Sequence, residues 1–493
     1  MFVDRVDEMA KLNQRYAAGK PELFVLYGKR RVGKTELLTQ FCQGKRSVFF
    51  VATMSSDSEQ LAAFSQAVWA FDHDTAPNGF TFPTWEAAFR ALADLPGRLV
   101  VVIDEFTYLV GGNKAIPSIL QMVWDQVLSR SKVFLVLCGS YIGMMEREVL
   151  NHQAPLYGRR TGGYLLSPLE LPAAAEFFPC YTPTEQIEAW AVLGGMPYYL
   201  SVFADDVDLF TNIRDHILDS YGTLYREPLL LLMEELREPR NYFSILKAIA
   251  NGKTRLTEIS QAAGMGGVTT TARYLDILQE MRYVVRAVPA TEPKPEKSKK
   301  GTYQIADPFL RFWFRYVYPN QGALDMGLAD AVLENKVRPT FDQYMGYAFE
   351  QAAREHVVRM ARAGELPFMP ERVGAWWDRR DEIDVVAVSD AERTLLIGEC
   401  KWSAHPVGMN VLGELKRRLA RLKTSAGNEW AHVFLALFSK SGFTPELSAV
   451  AADEDVALVE AKDPSMGLHE PVLSPVGLPH EGLVVPLNGS ISI

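Results

Sequence analysis

Four short apolar runs punctuate the first third of the chain: Leu23–Tyr27, Val48–Ala52, Leu99–Ile103 and Val133–Cys138. They are rich in β-branched and aromatic residues and do not alternate with polar ones, the pattern of strands buried on both faces. Helical spacing fills most of the gaps, as in Glu36–Phe41 and Pro117–Leu128. The second of these places its proline in the first turn, where a missing N–H costs nothing. Buried strands alternating with helices predict a parallel α/β sheet that extends to about residue 170.

The pattern then changes. Residues 171–237 read as mostly helical, interrupted by the turn Gly194-Gly195-Met196-Pro197. Helical periodicity returns at 242–250, 256–263 and 268–281. An extended stretch at 283–288, a Pro/Lys/Glu-rich loop at 289–300 and a second strand at Tyr303–Ala306 follow. Three helices and a β-hairpin with a charged tip form a winged helix, and the composition of the tip is that of a solvated segment. The aromatic stretch 308–318 reads as a buried docking helix in preference to a base-stacking platform. A further α/β domain is expected from about 326: helix 338–362, strands 383–388 and 394–400, helix 409–423, and strands 431–437 and 455–459. The expected domains are therefore 1–170, 171–237, 238–325 and 326–462, with a Pro/Gly-punctuated extension at 463–493.

Composition narrows the possibilities modestly. A chain of 493 residues holds roughly two to four domains. The net charge of −9 gives no global attraction for nucleic acid, so any DNA contact has to come from local basic patches. Cys42, Cys138, Cys180 and Cys400 are widely spaced and include no C-x-x-C pair. That argues against a disulfide framework or zinc site and for a reducing cytoplasm. The opening Met-Phe-Val-Asp-Arg does not read as a signal peptide. The longest apolar run, Val133–Cys138, is too short to span a bilayer, so no membrane association is expected.

The segment Gly28-Lys29-Arg30-Arg31-Val32-Gly33-Lys34-Thr35 fits the P-loop pattern, between an apolar strand and a helix. Glycines at these positions let backbone N–H groups curl around phosphates at a helix N-terminus. Lys34 is expected to neutralise the β/γ oxygens of ATP, and Thr35 to offer its hydroxyl to Mg²⁺. The run 99–105 ends in Asp104-Glu105. Asp104 is placed to hold the Mg²⁺ water shell, and Glu105 to orient and activate the attacking water. Ser140, at the end of the next strand, is either a γ-phosphate sensor or a plain strand-end serine. Arg159 and Arg160 either supply charge to the transition state, in cis or from a neighbouring subunit of a nucleotide-dependent homo-oligomer, or form surface ion pairs.

With F-V-D-R-V-D-E, G-K-R-R-V-G-K-T, V-I-D-E-F-T-Y-L, P-L-Y-G-R-R-T and G-G-M-P-Y-Y-L, the chain resembles the archaeal-type ATPases. These are relatives of the AAA+ and STAND nucleotidases, often with a winged helix and a C-terminal DUF234 domain. The resemblance extends to about residue 460. It implies that Val3 and Arg5 lie near the adenine and that the G-G-M-P turn, with Pro197, closes over the nucleotide.

The stretch from Arg380 to Trp402 carries a second constellation. Asp384 lies on one strand, and Glu399 and Lys401 lie two apart on the next, so the latter two share a face. Two carboxylates and a lysine at one spot suit metal-assisted phosphodiester hydrolysis with Mg²⁺ or Mn²⁺. Glu350 on the preceding helix is a further candidate ligand. This order resembles the PD-(D/E)XK nucleases, although Ile383 stands where that motif usually has proline. The helix after it presents Lys416, Arg417, Arg418 and Arg421, a face for a DNA backbone or for solvent. Thr269, Thr270, Thr271 and Arg273 begin the third helix of the winged helix, which either reads DNA or packs between domains.

The sequence thus predicts a multidomain α/β protein: an AAA+-like parallel-sheet ATPase core, a helical lid, a winged helix and a nuclease-like domain. The expected function is ATP hydrolysis that regulates a metal-dependent DNA endonuclease. The alternative is an ATP-switched regulator that grips DNA or a partner through an inactive nuclease fold.

Overall fold

The computed structural model describes residues 2–73, 79–236, 239–426 and 430–462; the expected extension 463–493 lies outside the described residues. The chain forms two compact units. The first contains residues up to Pro179, Val192–Val285 and Gln304–Ala329. The second contains Cys180–Ala191, Arg286–Tyr303 and the chain from Asp330 onward.

In the first unit, β1 (Glu22–Tyr27), β2 (Ser47–Val51), β3 (Leu99–Asp104), β4 (Val133–Gly139) and β5 (Gly162–Leu165) form one sheet in the order β2-β3-β4-β1-β5. Every neighbouring pair is parallel. β3 and β4 are buried along their whole length, as their unbroken apolar runs require. Leu23, Val25, Val101, Ile103, Leu135 and Leu137 belong to a continuous core with the helices Asp57–Asp72, Trp85–Asp94 and Ile116–Gln126. β5 was not legible in the sequence, because its Gly162-Gly163 start carries no strand signal. The strand order has a functional consequence. β4 lies between β1 and β3, so the loops leaving β1, β3 and β4 meet at one edge of the sheet, where open α/β folds bind ligands.

Helices Pro239–Ala250, Leu256–Ala262 and Val268–Glu280 are followed by β6 (Val284–Ala287) and β7 (Thr302–Ile305), which pair as a two-stranded sheet. This is the expected winged-helix order. The aromatic stretch begins with the helix Pro308–Phe312 and continues into a π-helical turn, Trp313–Val317. Phe309, Phe312, Trp313 and Phe314 are fully buried, and the Trp313 indole donates to the Tyr225 carbonyl at 2.7 Å. They are core side chains rather than exposed stacking platforms.

The second unit is built on β8 (Arg372–Trp377), β9 (Glu382–Ser389), β10 (Thr394–Lys401), β11 (His432–Ser439) and β12 (Val456–Glu460), in the order β12-β11-β10-β9-β8. β9 runs antiparallel to both β8 and β10, whereas β10, β11 and β12 run parallel. The helix Met409–Ala426 inserts Leu412, Leu415 and Leu422 against Ile397, Leu435 and Leu437. Two segments from earlier in the chain complete this unit. Ala290, in the wing, donates its N–H to the Ala375 carbonyl at 2.8 Å and accepts from Arg372 Nε at 2.8 Å. The helix Pro183–Leu193 is tied in by the Tyr344 hydroxyl, which donates to the Ala191 carbonyl at 2.7 Å, and by Lys440, 3.5 Å from Glu188. β8 was also missed in the sequence, since R-V-G-A-W-W neither alternates nor forms a clean apolar run.

Candidate nucleotide site and C-terminal cluster

The P-loop follows β1 directly, and the helix Lys34–Cys42 starts at its end. Gly28 passes so close to the Leu166 backbone that a Cβ would lie 2.5 Å from its carbonyl oxygen. Gly33 has φ +92°, a conformation that L side chains rarely adopt. These two contacts explain why this loop needs glycine at both ends. Arg5 braces the loop from below: its buried guanidinium donates to the Val32 carbonyl at 3.2 Å and to the Ser167 carbonyl at 2.9 Å. Val3 is buried beside it in sequence.

Lys34 is almost fully buried, and its ammonium donates to the Gly28 and Lys29 carbonyls at 3.0 and 2.9 Å. Loss of water pushes its pKa below the usual lysine range, while Glu105 and Asp104 pull it back up. The Thr35 hydroxyl donates to Asp104 Oδ2 at 2.7 Å, and the other Asp104 oxygen accepts the Glu105 N–H at 2.9 Å. Ser140 donates to Glu105 Oε1 at 2.5 Å. Glu105 itself adopts φ +52° at the start of the helix Phe106–Gly112. A non-glycine residue in that region stores strain, which is common where a side chain is aimed for function.

These side chains open into a cavity of about 700 Å³ lined by Gly33, Lys34, Thr35, Glu105 and Ser140, with Arg31 and Pro197 among its other walls. That volume is within the usual range for small-molecule sites. A P-loop backbone, a buried lysine and a hydroxyl–carboxylate pair suit a nucleoside triphosphate with Mg²⁺. In such a site Thr35 and Asp104 would hold the cation, which supplies charge neutralisation of the phosphates when bound.

The partners of the P-loop's basic residues were invisible in the sequence. Lys29 pairs with Asp307 at 3.1 Å and stacks over the Tyr283 ring at 4.8 Å. Arg30 pairs with Glu234 and donates to the Tyr108 hydroxyl at 2.7 Å. Arg31 pairs with Glu227 and lies over Tyr198 at 4.1 Å. Glu235, buried next to them, accepts from the Tyr283 hydroxyl at 2.7 Å. The acids of the helix Glu227–Glu235 resemble any charged helix face when read in one dimension.

Arg159 and Arg160 are elsewhere. Arg159 pairs with Asp125 at 3.1 Å, Arg160 stacks over Tyr157, and neither lines the cavity. Proximity in sequence to the core strands does not bring them to this site within one chain.

In the second unit, β9 and β10 place Asp384 beside Glu399, one step past the Gly398–Val385 pair. Asp384 Oδ2 accepts the Cys400 N–H at 2.8 Å. Burial pushes the Asp384 carboxyl above the usual range and the nearby Glu399 pushes it further; burial followed by Asp384 does the same to Glu350. Yet Glu350 pairs with Arg354 at 2.7 Å, and both oxygens of the buried Glu399 are taken. Lys401 Nζ reaches Oε1 at 2.7 Å, and Arg418 NH1 from the neighbouring helix reaches Oε2 at 2.5 Å. Among the described residues no three His, Cys, Asp or Glu side chains are grouped so as to hold a metal ion. The expected cation set of Glu350, Asp384 and Glu399 is thus near-neighbour but not convergent, because Glu350 and Glu399 are turned to cations of the protein. Arg418 was read only as part of a basic helix face. Of its neighbours, Arg417 and Arg421 pair with Asp381 and Asp378, and Lys416 pairs with Glu454.

Among the described residues no helix is long and apolar enough to cross a membrane.

The fold and the first site define a P-loop ATPase. Residues 2–203 match a family described as an ATPase domain predominantly from Archaea, and residues 313–415 match DUF234, described as Archaea bacterial proteins of unknown function. An uncharacterized protein of Methanocaldococcus jannaschii is 34% identical over 404 residues, which is 82% of this chain and 88% of the relative. An uncharacterized ATP-binding protein of the same organism is 44% identical over 46 residues, 9% of this chain and 78% of the relative. The chain belongs to this archaeal ATPase family with a C-terminal DUF234 domain. Among solved structures, the Walker-type ATPase of Pyrococcus abyssi is similar with a TM-score of 0.47 and 24% identity, covering 64% of this chain and 96% of that one. The Aeropyrum pernix ORC2 protein, solved in ADPNP-ADP complexes, is similar with a TM-score of 0.43 and 14% identity, covering 68% and 96%.

Proposed function

We propose that this ATPase hydrolyses ATP as a switch and that its nucleotide cycle regulates the C-terminal unit, a metal-dependent nuclease-like effector acting on DNA. The observation that carries this reading is the presence of two separate buried clusters, one in each unit. In the first, Asp104 is bonded to Thr35 and Glu105 to Ser140 at the mouth of the P-loop. In the second, Asp384 is bonded to the Cys400 amide between Glu399 and Lys401. In the second cluster Glu399 opposes ionisation of the buried Asp384, a setting that a divalent cation relieves. In the first cluster, Glu105 orients water and accepts its proton, while Lys34 and the loop amides hold the phosphates. Roles for Val3, Arg5 and Pro197 around the base belong to the same proposal, as do the linear domains and a nucleotide-dependent homo-oligomer in which Arg159 or Arg160 acts on a neighbour.

A second reading has its own support. Glu399 already has both oxygens neutralised by Lys401 and Arg418, which suits a fold that grips DNA or a partner without cutting. One experiment separates the two. DNA is incubated with the protein, Mg²⁺ or Mn²⁺, with and without ATP, beside Asp384→Ala and Lys401→Ala. Cleavage that is ATP-dependent and lost in both variants supports the nuclease. Equal background cleavage in all samples removes it, and retained DNA binding with Mn²⁺ affinity unchanged in Glu399→Ala supports the second reading.

A further inference from the structure

The P-loop carries three consecutive cations, and their partners differ in how firmly they hold them. The Asp307 side chain that holds Lys29 is 7% exposed, and the Glu227 side chain that holds Arg31 is 5% exposed. Releasing either cation would strand a buried carboxylate. Glu234, the closest carboxylate to Arg30, is 57% exposed, while the buried Glu235 stands off at 4.0 Å from Arg30 Nε. A pair of that kind contributes little and is readily exchanged for a stronger partner. Arg30 is therefore the loop cation whose closest ion pair is the most readily exchanged, and Tyr283, which donates to Glu235, stays with that carboxylate when Arg30 shifts.

It also stands at the right place. Arg30 lines the same cavity as Lys34, Glu105 and Ser140, and it is close enough to Glu105 for their charges to interact. The Tyr108 hydroxyl accepts from its NH2 at 2.7 Å, and Tyr108 is fixed three residues after Glu105 by a backbone bond from its N–H to the Glu105 carbonyl at 2.8 Å. The residue that prepares the water and the residue that carries Arg30 thus belong to one helical turn. Arg159 and Arg160 offer no such placement within the chain, being turned to Asp125 and Tyr157.

We propose that Arg30 is the arginine that acts in cis on the transferred phosphoryl group, leaving Glu234 for the γ-phosphate oxygens as hydrolysis proceeds, with Tyr108 as its positioning residue. The assignment rests on the reading of this site as hydrolytic. In the step it serves, the water oxygen forms a bond to the γ-phosphorus while the bond from that phosphorus to the β–γ bridging oxygen breaks. ADP leaves with the bonding electron pair, and the proton of the water passes to Glu105. Negative charge moves from the γ oxygens toward the bridging oxygen during this exchange. A planar, permanently charged guanidinium that can donate two parallel hydrogen bonds is suited to that change, and a lysine at the same position is less so.

The test uses the full chain and compares wild type, Arg30→Ala, Arg30→Lys and Tyr108→Phe. Phosphate release gives kcat and KM, a non-hydrolysable ATP analogue gives ground-state affinity, and ADP with aluminium fluoride reports capture of the planar phosphoryl mimic. The expected result for Arg30→Ala is a kcat lower by on the order of 10²–10³-fold, with analogue affinity within about threefold and capture of the mimic abolished. Arg30→Lys recovers part of the rate, and Tyr108→Phe lowers kcat by a smaller factor without raising KM. A folded Arg30→Ala protein with wild-type kcat overturns the assignment, as does a loss that appears wholly in analogue affinity. If the wild-type chain releases no phosphate at all, the hydrolytic reading falls and takes the assignment with it. Turnover in wild type equal to that in Arg30→Ala removes the assignment alone.

Discussion

Lys29 of the P-loop is paired with Asp307, 278 positions further along the chain, at 3.1 Å between Nζ and Oδ2. Asp307 does two things at once, because its other oxygen accepts the Leu310 N–H at 3.2 Å and so caps the helix Pro308–Phe312. The N-cap of the docking helix, two residues past the end of β7, is thereby locked to the phosphate loop.

Removing that carboxylate leaves a largely buried ammonium uncompensated and a helix uncapped. Asp307→Ala is expected to cost about 3–5 kcal/mol, most of it from the orphaned charge. Adding Lys29→Met should recover much of the loss. Denaturant unfolding of the two single variants and the double variant measures the coupling, and additive losses would show that the pair is not energetically real.

Lys34 and Glu105 should separate binding from turnover. Lys34→Ala loses the cation that the loop carbonyls hold over the cavity, so ATP affinity should fall by roughly 100-fold or more. Glu105→Gln can still accept from Ser140 but cannot take a proton. It should bind ATP nearly as wild type and turn it over at least about 100-fold more slowly. Analogue binding and phosphate release measured side by side check both; full turnover in Glu105→Gln would remove that residue from the chemistry.

Glu235 ties stability to pH. Burial raises its carboxyl above the usual range, outweighing the bond from Tyr283 and the charges of Arg30 and Lys29. A carboxyl whose folded pKa is raised binds its proton more tightly in the native state. Below the unfolded value, about 4.5, both states are protonated and there is no penalty. As pH climbs through the raised folded value, the native state has to accept a poorly hydrated charge and loses stability. Glu235→Gln keeps an acceptor for Tyr283 without that charge. Its melting temperature should gain on wild type as pH rises from 4 to 8, and a constant difference across the range would contradict this.

Glu399 should matter to the second unit whether or not that unit cuts DNA. Glu399→Gln weakens two ion pairs and leaves the half-buried Arg418 without its main partner. The expected loss is roughly 2–4 kcal/mol, at the lower end because Lys401 is well exposed. Unfolding followed through Trp402 and Trp430 fluorescence reads it, and an unchanged midpoint would show that Arg418 finds another anion.

How much of this could be read in advance depended on whether the signal was local. The P-loop, Asp104-Glu105 and the Asp384–Glu399–Lys401 set lie on or beside continuous apolar runs, and a strand fixes its side chains' direction by alternation alone. The sheet then brings them together by topology, as with Thr35 and Asp104 at 2.7 Å. The partners were of another kind. Glu227, Glu234, Glu235, Asp307 and Arg418 are ordinary charged residues on helices or at helix starts, and only tertiary packing decides which of many cations each meets. The arginine pair at 159–160 shows the same limit: nearness in sequence to the core strands left transition-state charge and a surface ion pair equally open, and within one chain Arg159 is turned to Asp125. β5 and β8 were lost because glycine breaks their strand pattern although their backbones still pair.

The hydrogen bond from Ala290 to Ala375 bears on how this architecture can be inherited. β8 is the outer strand of its sheet, and the wing segment lends it a backbone partner while Arg372 fastens the other side of Ala290. Unpaired outer strands invite association with other chains. The second unit also includes Cys180–Ala191, so three stretches, kept apart in sequence by Val192–Val285 and Gln304–Ala329, are needed to complete it. It is consequently not a cassette that recombination can cut out and splice onto another ATPase at one junction. A chain that received only the stretch from Asp330 onward would inherit a sheet with an uncovered margin.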